Sequence, residues 1–386
     1  MFSSRLEWNA HPNPLTTLLA EKRRQGASIL DLTESNPTRA ALDYPRKELL
    51  TALADPRALR YDPDPRGLLS AREAVSEYYA QRSVEVPALR ILLTASTSEA
   101  YSYLFKLLTD PGDEILVPRP SYPLFDYLAA MESVAVRQYP LRYDGFWHID
   151  LPALASAITP RTRAIVVVNP NNPTGSYLKR AEWERLQTFG LPILSDEVFS
   201  DFAFSPDPQR ITTLADQNSV LTFSMSGLSK IAGLPQMKLG WIVASGPDHE
   251  AALDGLEWIA DTYLSVSTTV QLALPRILSA SAPVQEQIRI QTAANLQHLR
   301  KTLLATDSPC RCLAIEGGWY AVLEVPRIRT EEDWVLQLLA EKDVLVQPGF
   351  FYDFESEAFL VLSLLTPPAI FAEGLGRILE STASRS

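Results

Sequence analysis

Lys230 stands in Ser226-Gly-Leu-Ser-Lys-Ile-Ala-Gly233, a stretch with few other charges. A lysine in a partly desolvated place can lose its proton and attack a carbonyl carbon, so imine formation is the chemistry this residue offers. Asp196, followed by Glu197, comes just after the apolar run Pro192–Leu194. A carboxylate there either caps a helix or pairs with a cationic ring nitrogen, which keeps it ionised. Asn169-Pro-Asn-Asn-Pro-Thr-Gly175 follows the run Ala164–Val168, and its prolines and Gly175 set the direction of the Asn172 amide. Ser96-Thr-Ser-Glu99 opens a helix-like segment. Its hydroxyls (Ser96, Thr97, Ser98), unpaired backbone N–H groups and positive helix end make a seat for an anion. Each segment alone has a plainer reading: a solvated surface lysine, a helix cap, an Asn-Pro turn, an N-cap.

What must position these groups is a set of strands. Ile91–Thr94, Glu114–Val117, Ala164–Val168, Pro192–Leu194, Val220–Phe223 and Leu239–Ala244 are short apolar runs, several of them β-branched, with helix-length text between most of them. Runs with almost no polar residue suit strands buried on both faces, and alternation with helices predicts a mostly parallel sheet covered by helices. The four segments fall at strand ends, where such sheets bind ligands. Helices are expected over Leu15–Arg24, Leu69–Gln81 and Ser96–Leu108. The Pro-rich segment Tyr61–Gly67 is expected as an ordered loop. From about residue 276 the character changes. A long polar helix over Pro283–Leu304 precedes strands at Ala321–Val325, Val344–Val346 and Leu360–Leu364, a helix at Thr330–Glu341, and a closing helix to Glu380. The expected fold class is α/β: a large domain with a mostly parallel sheet flanked by helices, plus a smaller α/β domain. Residues 1–40 would form an arm and part of the small domain, 41–275 the large domain and 276–386 the small one.

The 386 residues exceed one ordinary core, and 46% apolar with 21% charged residues is a globular balance. A net charge of −11, from 46 acidic and 35 basic residues, disfavours a bulk nucleic-acid binder. No apolar run reaches membrane-spanning length, and Met1 to Asn9 carries no leader pattern, so a cytoplasmic protein without membrane attachment is expected. Cys310 and Cys312 form a lone C-x-C, too few soft ligands for zinc, and no metal site is expected. The dinucleotide and P-loop glycine patterns, the G-x-S-x-G elbow and H-E-x-x-H are all absent from the sequence.

An anion seat, a carboxylate for a pyridinium nitrogen, an amide for a ring hydroxyl and an imine-forming lysine are together what pyridoxal 5′-phosphate needs. Over nearly its whole length the chain resembles the class I/II aminotransferases, the fold-type-I pyridoxal-phosphate enzymes. The most specific stretches are Asn169–Gly175, Ser195–Phe199 and Ser226–Gly240. The resemblance implies that Lys230 holds the cofactor and shuttles the proton, with Asp196 on the ring nitrogen and Asn172 on the ring hydroxyl. It implies that Tyr122, in Pro120-Ser-Tyr-Pro123, stacks on the ring. Ser96, Thr97 and Ser98 match the phosphate loop, with Ser226 and Lys238 close to it. Tyr61 matches a tyrosine that reaches the neighbouring subunit's phosphate, so a homodimer is implied. Asn36, in Glu34-Ser-Asn-Pro-Thr38, falls in the segment that commonly lines the substrate pocket.

The chain also departs from the family pattern. Phe199 stands where a tyrosine is usual. Lys238 replaces an arginine and lacks its bidentate fork. Gly227 stands where a serine is common. Val361 occupies the place of the arginine that clamps the substrate carboxylate. The expected activity is transfer of an amino group between a small amino acid and a 2-oxo acid. Val361 keeps a lyase, decarboxylase or racemase of the same fold as the alternative, because carboxylate placement selects the bond that breaks.

Overall fold

The computed structural model describes residues 2–6, 11–306 and 308–383. The start of the chain read for a leader, Met1 to Asn9, lies partly outside them.

The described residues form fourteen strands. They are β1 (Leu30–Asp31), β2 (Ile91–Thr94), β3 (Glu114–Arg119), β4 (Ala135–Tyr143), β5 (Trp147–Ile149), β6 (Thr162–Val168) and β7 (Ile193–Asp196). Then come β8 (Thr222–Gly227), β9 (Gly240–Ser245), β10 (Arg311–Cys312), β11 (Tyr320–Glu324), β12 (Val344–Leu345), β13 (Gln347–Pro348) and β14 (Phe359–Ser363). Eight of them form one sheet in the order β2-β9-β8-β7-β6-β3-β4-β5. The central pairings β4-β3, β3-β6, β6-β7 and β7-β8 are parallel, and β9 and β5 run antiparallel to their neighbours.

The apolar runs are explained by burial on both faces. Along β6, Ala164, Val166 and Val168 enter one core while Ile165 and Val167 enter another. On β9, Ile242 and Ala244 face the first of these cores and Trp241 and Val243 a third. Helices Thr97–Leu108 and His249–Tyr263 cover the side where Tyr101, Leu104, Leu253 and Leu256 pack. Helices Leu69–Ala80 and Thr268–Ala280 cover the other, through Val75, Tyr79, Leu274 and Ile277.

A second sheet, β10-β11-β14-β13, is antiparallel throughout. Its alternate residues serve two cores. Ala321, Leu323, Leu360 and Leu362 pack with residues of the helices Glu331–Lys342 and Pro368–Ala383. Tyr320, Val322, Phe359 and Val361 turn toward the first sheet's layer. The N-terminal strand β1 pairs with β12 in parallel, so the start of the chain lies beside these later elements.

Three features differ from the sequence expectations. β8 runs to Gly227, past the expected end at Phe223, because Ser224 and Ser226 are strand residues whose polarity hid them; Ser224 donates to buried Glu197. β4 and β5 went unread; β4 alternates exposed and half-buried residues over its first half, which gives no apolar run. The expected division at 275/276 falls inside the helix Thr268–Ala280, which carries Pro275 in its interior.

Candidate active site

Three parallel strands deliver the chemistry at their C-terminal ends. β6 leads into Asn169–Gly175, β7 ends on Asp196, and β8 ends at Gly227, directly before the short helix Leu228–Ile231 that carries Lys230. Close packing sets the last of these. Gly227 pairs with Gly240 on β9, and a Cβ on Gly227 would stand 2.8 Å from the Gly240 Cα and 2.9 Å from the Leu239 carbonyl oxygen. A serine does not fit there, which accounts for glycine at this position. Gly175, at φ +68°, closes the Asn169 loop, and its carbonyl oxygen accepts the Gly317 N–H at 3.1 Å.

These ends surround a cavity of about 220 Å³. Asp196 and Lys230 both line it, as do Asn172, Tyr122, Ser96 and Thr97. Ser96 caps the helix Thr97–Leu108 by accepting the Glu99 N–H at 3.2 Å, and the other N–H groups of a first helical turn lack intrahelical acceptors. The Asn172 side-chain oxygen is buried with no hydrogen-bond partner. A buried amide oxygen left unpaired costs free energy that a ligand donor can recover.

Burial governs the electrostatics. Asp196 is 7% exposed, and loss of hydration pushes its carboxyl up to about 6. The Val198 N–H at 3.3 Å, the Tyr101 O–H at 3.2 Å and the charge of Lys230 oppose that rise. Desolvation brings the Lys230 amine down to about 8, against the attraction of Asp196. Its Nζ stands 5.0 Å from the Trp319 ring centre and 5.4 Å from that of Phe199. A cationic group beside Asp196 would restore the charge balance that burial disturbs. Behind Asp196, Glu197 is fully enclosed and raised to about 7 by burial. It accepts hydrogen bonds from Thr213, Leu214, Ser195 and Ser224, tying β7 to β8 beneath the cavity.

Of the residues singled out from sequence, Ser96, Thr97, Tyr122, Asn172, Asp196, Phe199, Gly227 and Lys230 line this one cavity. The others lie elsewhere. Ser98 is on the first helical turn without lining the cavity. Ser226 is 1% exposed with an unpartnered hydroxyl, and strand alternation turns it away from the face that Asp196 shares with its neighbour Met225. Lys238 is exposed, at φ +48°, next to the lining residues Leu239 and Gly240. The Asn36 amide oxygen accepts from the Thr38 N–H and hydroxyl, capping the turn Pro37–Arg39. Tyr61 is 78% exposed, away from the cavity. Val361 is 1% exposed within the core behind Tyr320. Tyr320, on the second sheet, also lines the cavity, and its neighbour Trp319 does not. Sequence reasoning missed Ser35, which lines the cavity one place before Asn36. The signal was available: an Asn before Pro caps its own turn and leaves the preceding residue to face the site.

The family profile described as aminotransferase class I and II matches residues 27–370. The glutamate-pyruvate aminotransferase AlaA of Escherichia coli (strain K12) is 30% identical over 349 residues, covering 86% of this chain and 85% of that protein. The tyrosine aminotransferase of Bos taurus is 29% identical over 327 residues, covering 81% and 72%. Among solved structures, an aminotransferase from Escherichia coli superposes with a TM-score of 0.85 at 25% identity, covering 100% of this chain and 98% of that one. The alanine aminotransferase from Pyrococcus furiosus shares the fold, with a TM-score of 0.87 at 23% identity over the whole of both chains.

Proposed function

As the chain belongs to the class I and II aminotransferases and is a transaminase, we propose that its cavity holds pyridoxal 5′-phosphate on Lys230 and moves an amino group between a small amino acid and a 2-oxo acid. The observation that carries this reading is the meeting of Lys230, Asp196 and the unpaired Asn172 amide oxygen in one cavity. Bound there, the cofactor supplies an aldehyde that condenses with amines and a cationic ring that accepts the electrons of a broken Cα–H bond.

The chain's own groups do the rest. Lys230, with its amine lowered to about 8, is partly neutral near physiological pH and so is able to attack a carbonyl and to take the proton from the substrate Cα. Asp196 holds negative charge where the ring nitrogen would sit and keeps that nitrogen protonated. Tyr122 offers a ring face for stacking, and Asn172 an amide for the ring hydroxyl. Ser96, Thr97 and the start of the helix Thr97–Leu108 offer hydroxyls and N–H groups to the phosphate. Lys238, one residue from the lining, adds a point charge at that end. Phe199 and Trp319, beside Lys230, exclude water from the amine.

A homodimer with Tyr61 serving the neighbouring subunit's site belongs to the same reading. It is supported by the exposure of Tyr61 (78%), Leu59 (93%) and Trp258 (79%). A cytoplasmic location belongs to the same reading and is supported by the two free cysteines, Cys310 and Cys312.

The test is covalent. The protein is incubated with pyridoxal phosphate, reduced with borohydride and digested. The adduct is expected on the peptide spanning residues 226–238, with Lys230→Ala losing adduct and activity together. An adduct confined to another peptide, or none, refutes the assignment.

A further inference from the structure

The wall that the second sheet contributes to the cavity carries no charge. Tyr320 on β11 lines it, as does Ser35. Behind Tyr320, Val361 on β14 faces Val322 on one neighbouring strand and Gln347 on the other, sealed in the apolar cluster with Phe199 and Tyr352. Among the described residues that line the cavity, Lys230 alone is cationic, and Asp196 carries the opposite charge.

Those facts bear on what the site selects. A carboxylate beside the amine-bearing carbon must give up hydration to enter. With Asn172 and Asp196 assigned to the cofactor ring, it meets the neutral hydroxyls of Ser35 and Tyr320. Neutral donors return less than the paired, charge-assisted bonds of a guanidinium. A hydrogen, alkyl or hydroxymethyl group at the same place loses little hydration and fits the ring faces of Phe199 and Tyr320.

Resting on the Lys230 reading above, we infer that the substrate α-carboxylate contributes little to recognition here, and that primary amines lacking it are turned over on a par with the corresponding amino acids. The amine donates its amino group and leaves as the aldehyde or ketone. The same group then passes to a 2-oxo acid, so no external oxidant or reductant is needed.

The experiment compares matched donors on the full-length holoenzyme: phenylalanine against 2-phenylethylamine, and alanine against ethylamine. Each is read as kcat/KM for conversion of the bound cofactor to its amino form in single turnovers. Within each pair the two values are expected to agree within about tenfold, because one charge-assisted bond alone is worth roughly that factor. An amino acid preferred by more than about tenfold, toward the scale of a bidentate clamp, overturns the inference. So does a holoenzyme that forms the Lys230 adduct yet converts neither amine, an outcome that leaves the Lys230 assignment standing. Absence of the adduct removes that assignment and this inference with it.

Discussion

Asp196 concentrates the conflict between stability and chemistry in one side chain. Its carboxyl is raised to about 6 from an ordinary 3.8 because burial removes its hydration. The sign follows from proton binding. The folded state holds this proton more tightly than the unfolded one, so stability falls as the pH rises from about 4 through 6. Above that range the full cost remains, roughly 3 kcal/mol for two pH units of displacement. Asp196→Asn removes the charge and keeps one acceptor oxygen, for the Val198 N–H, while its amide NH2 turns to donate to the Tyr101 hydroxyl oxygen. At pH 9, where the Lys230 amine is largely neutral, the cofactor-free variant is expected to melt above the cofactor-free parent. The gap should close toward pH 4, while transaminase activity is lost throughout. Calorimetry at the two pH values checks this. A variant that melts below the parent at pH 9 would mean that the lost acceptor and its charge-assisted bond outweigh desolvation.

At the scale of elements, the site depends on how tightly β8 and β9 approach. Gly227 and Gly240 face one another, and both a Gly227 Cβ and a Gly240 Cβ would meet backbone rather than a yielding side chain. Gly227→Ala must therefore push the strands apart, at an expected cost of about 1–3 kcal/mol, the usual range for overpacking. The same shift moves the helix Leu228–Ile231, so a fall in kcat is expected beyond the loss of stability. Thermal unfolding with single-turnover kinetics separates the two, and an alanine variant of unchanged Tm and rate would show that the strands yield. Asp201 works at this scale as well. It accepts from Tyr78 at 2.9 Å, from Arg82 at 2.8 Å and from Gln285 at 3.2 Å, joining the segment after β7 to the helices Leu69–Ala80 and Ala282–Ala305.

At the scale of the whole molecule, the cavity draws on residues far apart in the chain. Ser35 and Tyr320 come from either side of the eight-stranded sheet's sequence, and Lys179 bridges the first sheet's layer to Glu316 by an ion pair. Completion by a second copy is the remaining step. In the proposed homodimer Tyr61 supplies one hydrogen bond to the partner's phosphate. Tyr61→Phe is then expected to weaken pyridoxal-phosphate binding about fivefold, the equivalent of about 1 kcal/mol. The particle should keep twice the chain mass of 42.9 kDa. Light scattering and a cofactor titration check both parts. A 42.9 kDa particle, or an unchanged affinity, would count against Tyr61 acting across an interface.

The sequence by itself determined where six of the large sheet's eight strands lie and what stands at their ends. Lys230, Asp196, Asn172 and Ser96 were legible because each follows closely on an apolar run that is a strand for local reasons: β-branching, short length and flanking turn residues. Only the tertiary structure decided which side chains share the cavity. Ser226 turned away by strand alternation, Lys238 stayed in solvent, Val361 sank into the core, and Ser35 replaced Asn36 at the wall. The facing of a side chain depends on pairing register and on contacts between sheets that meet across most of the chain. Those are set by non-local packing, which local residue patterns do not encode.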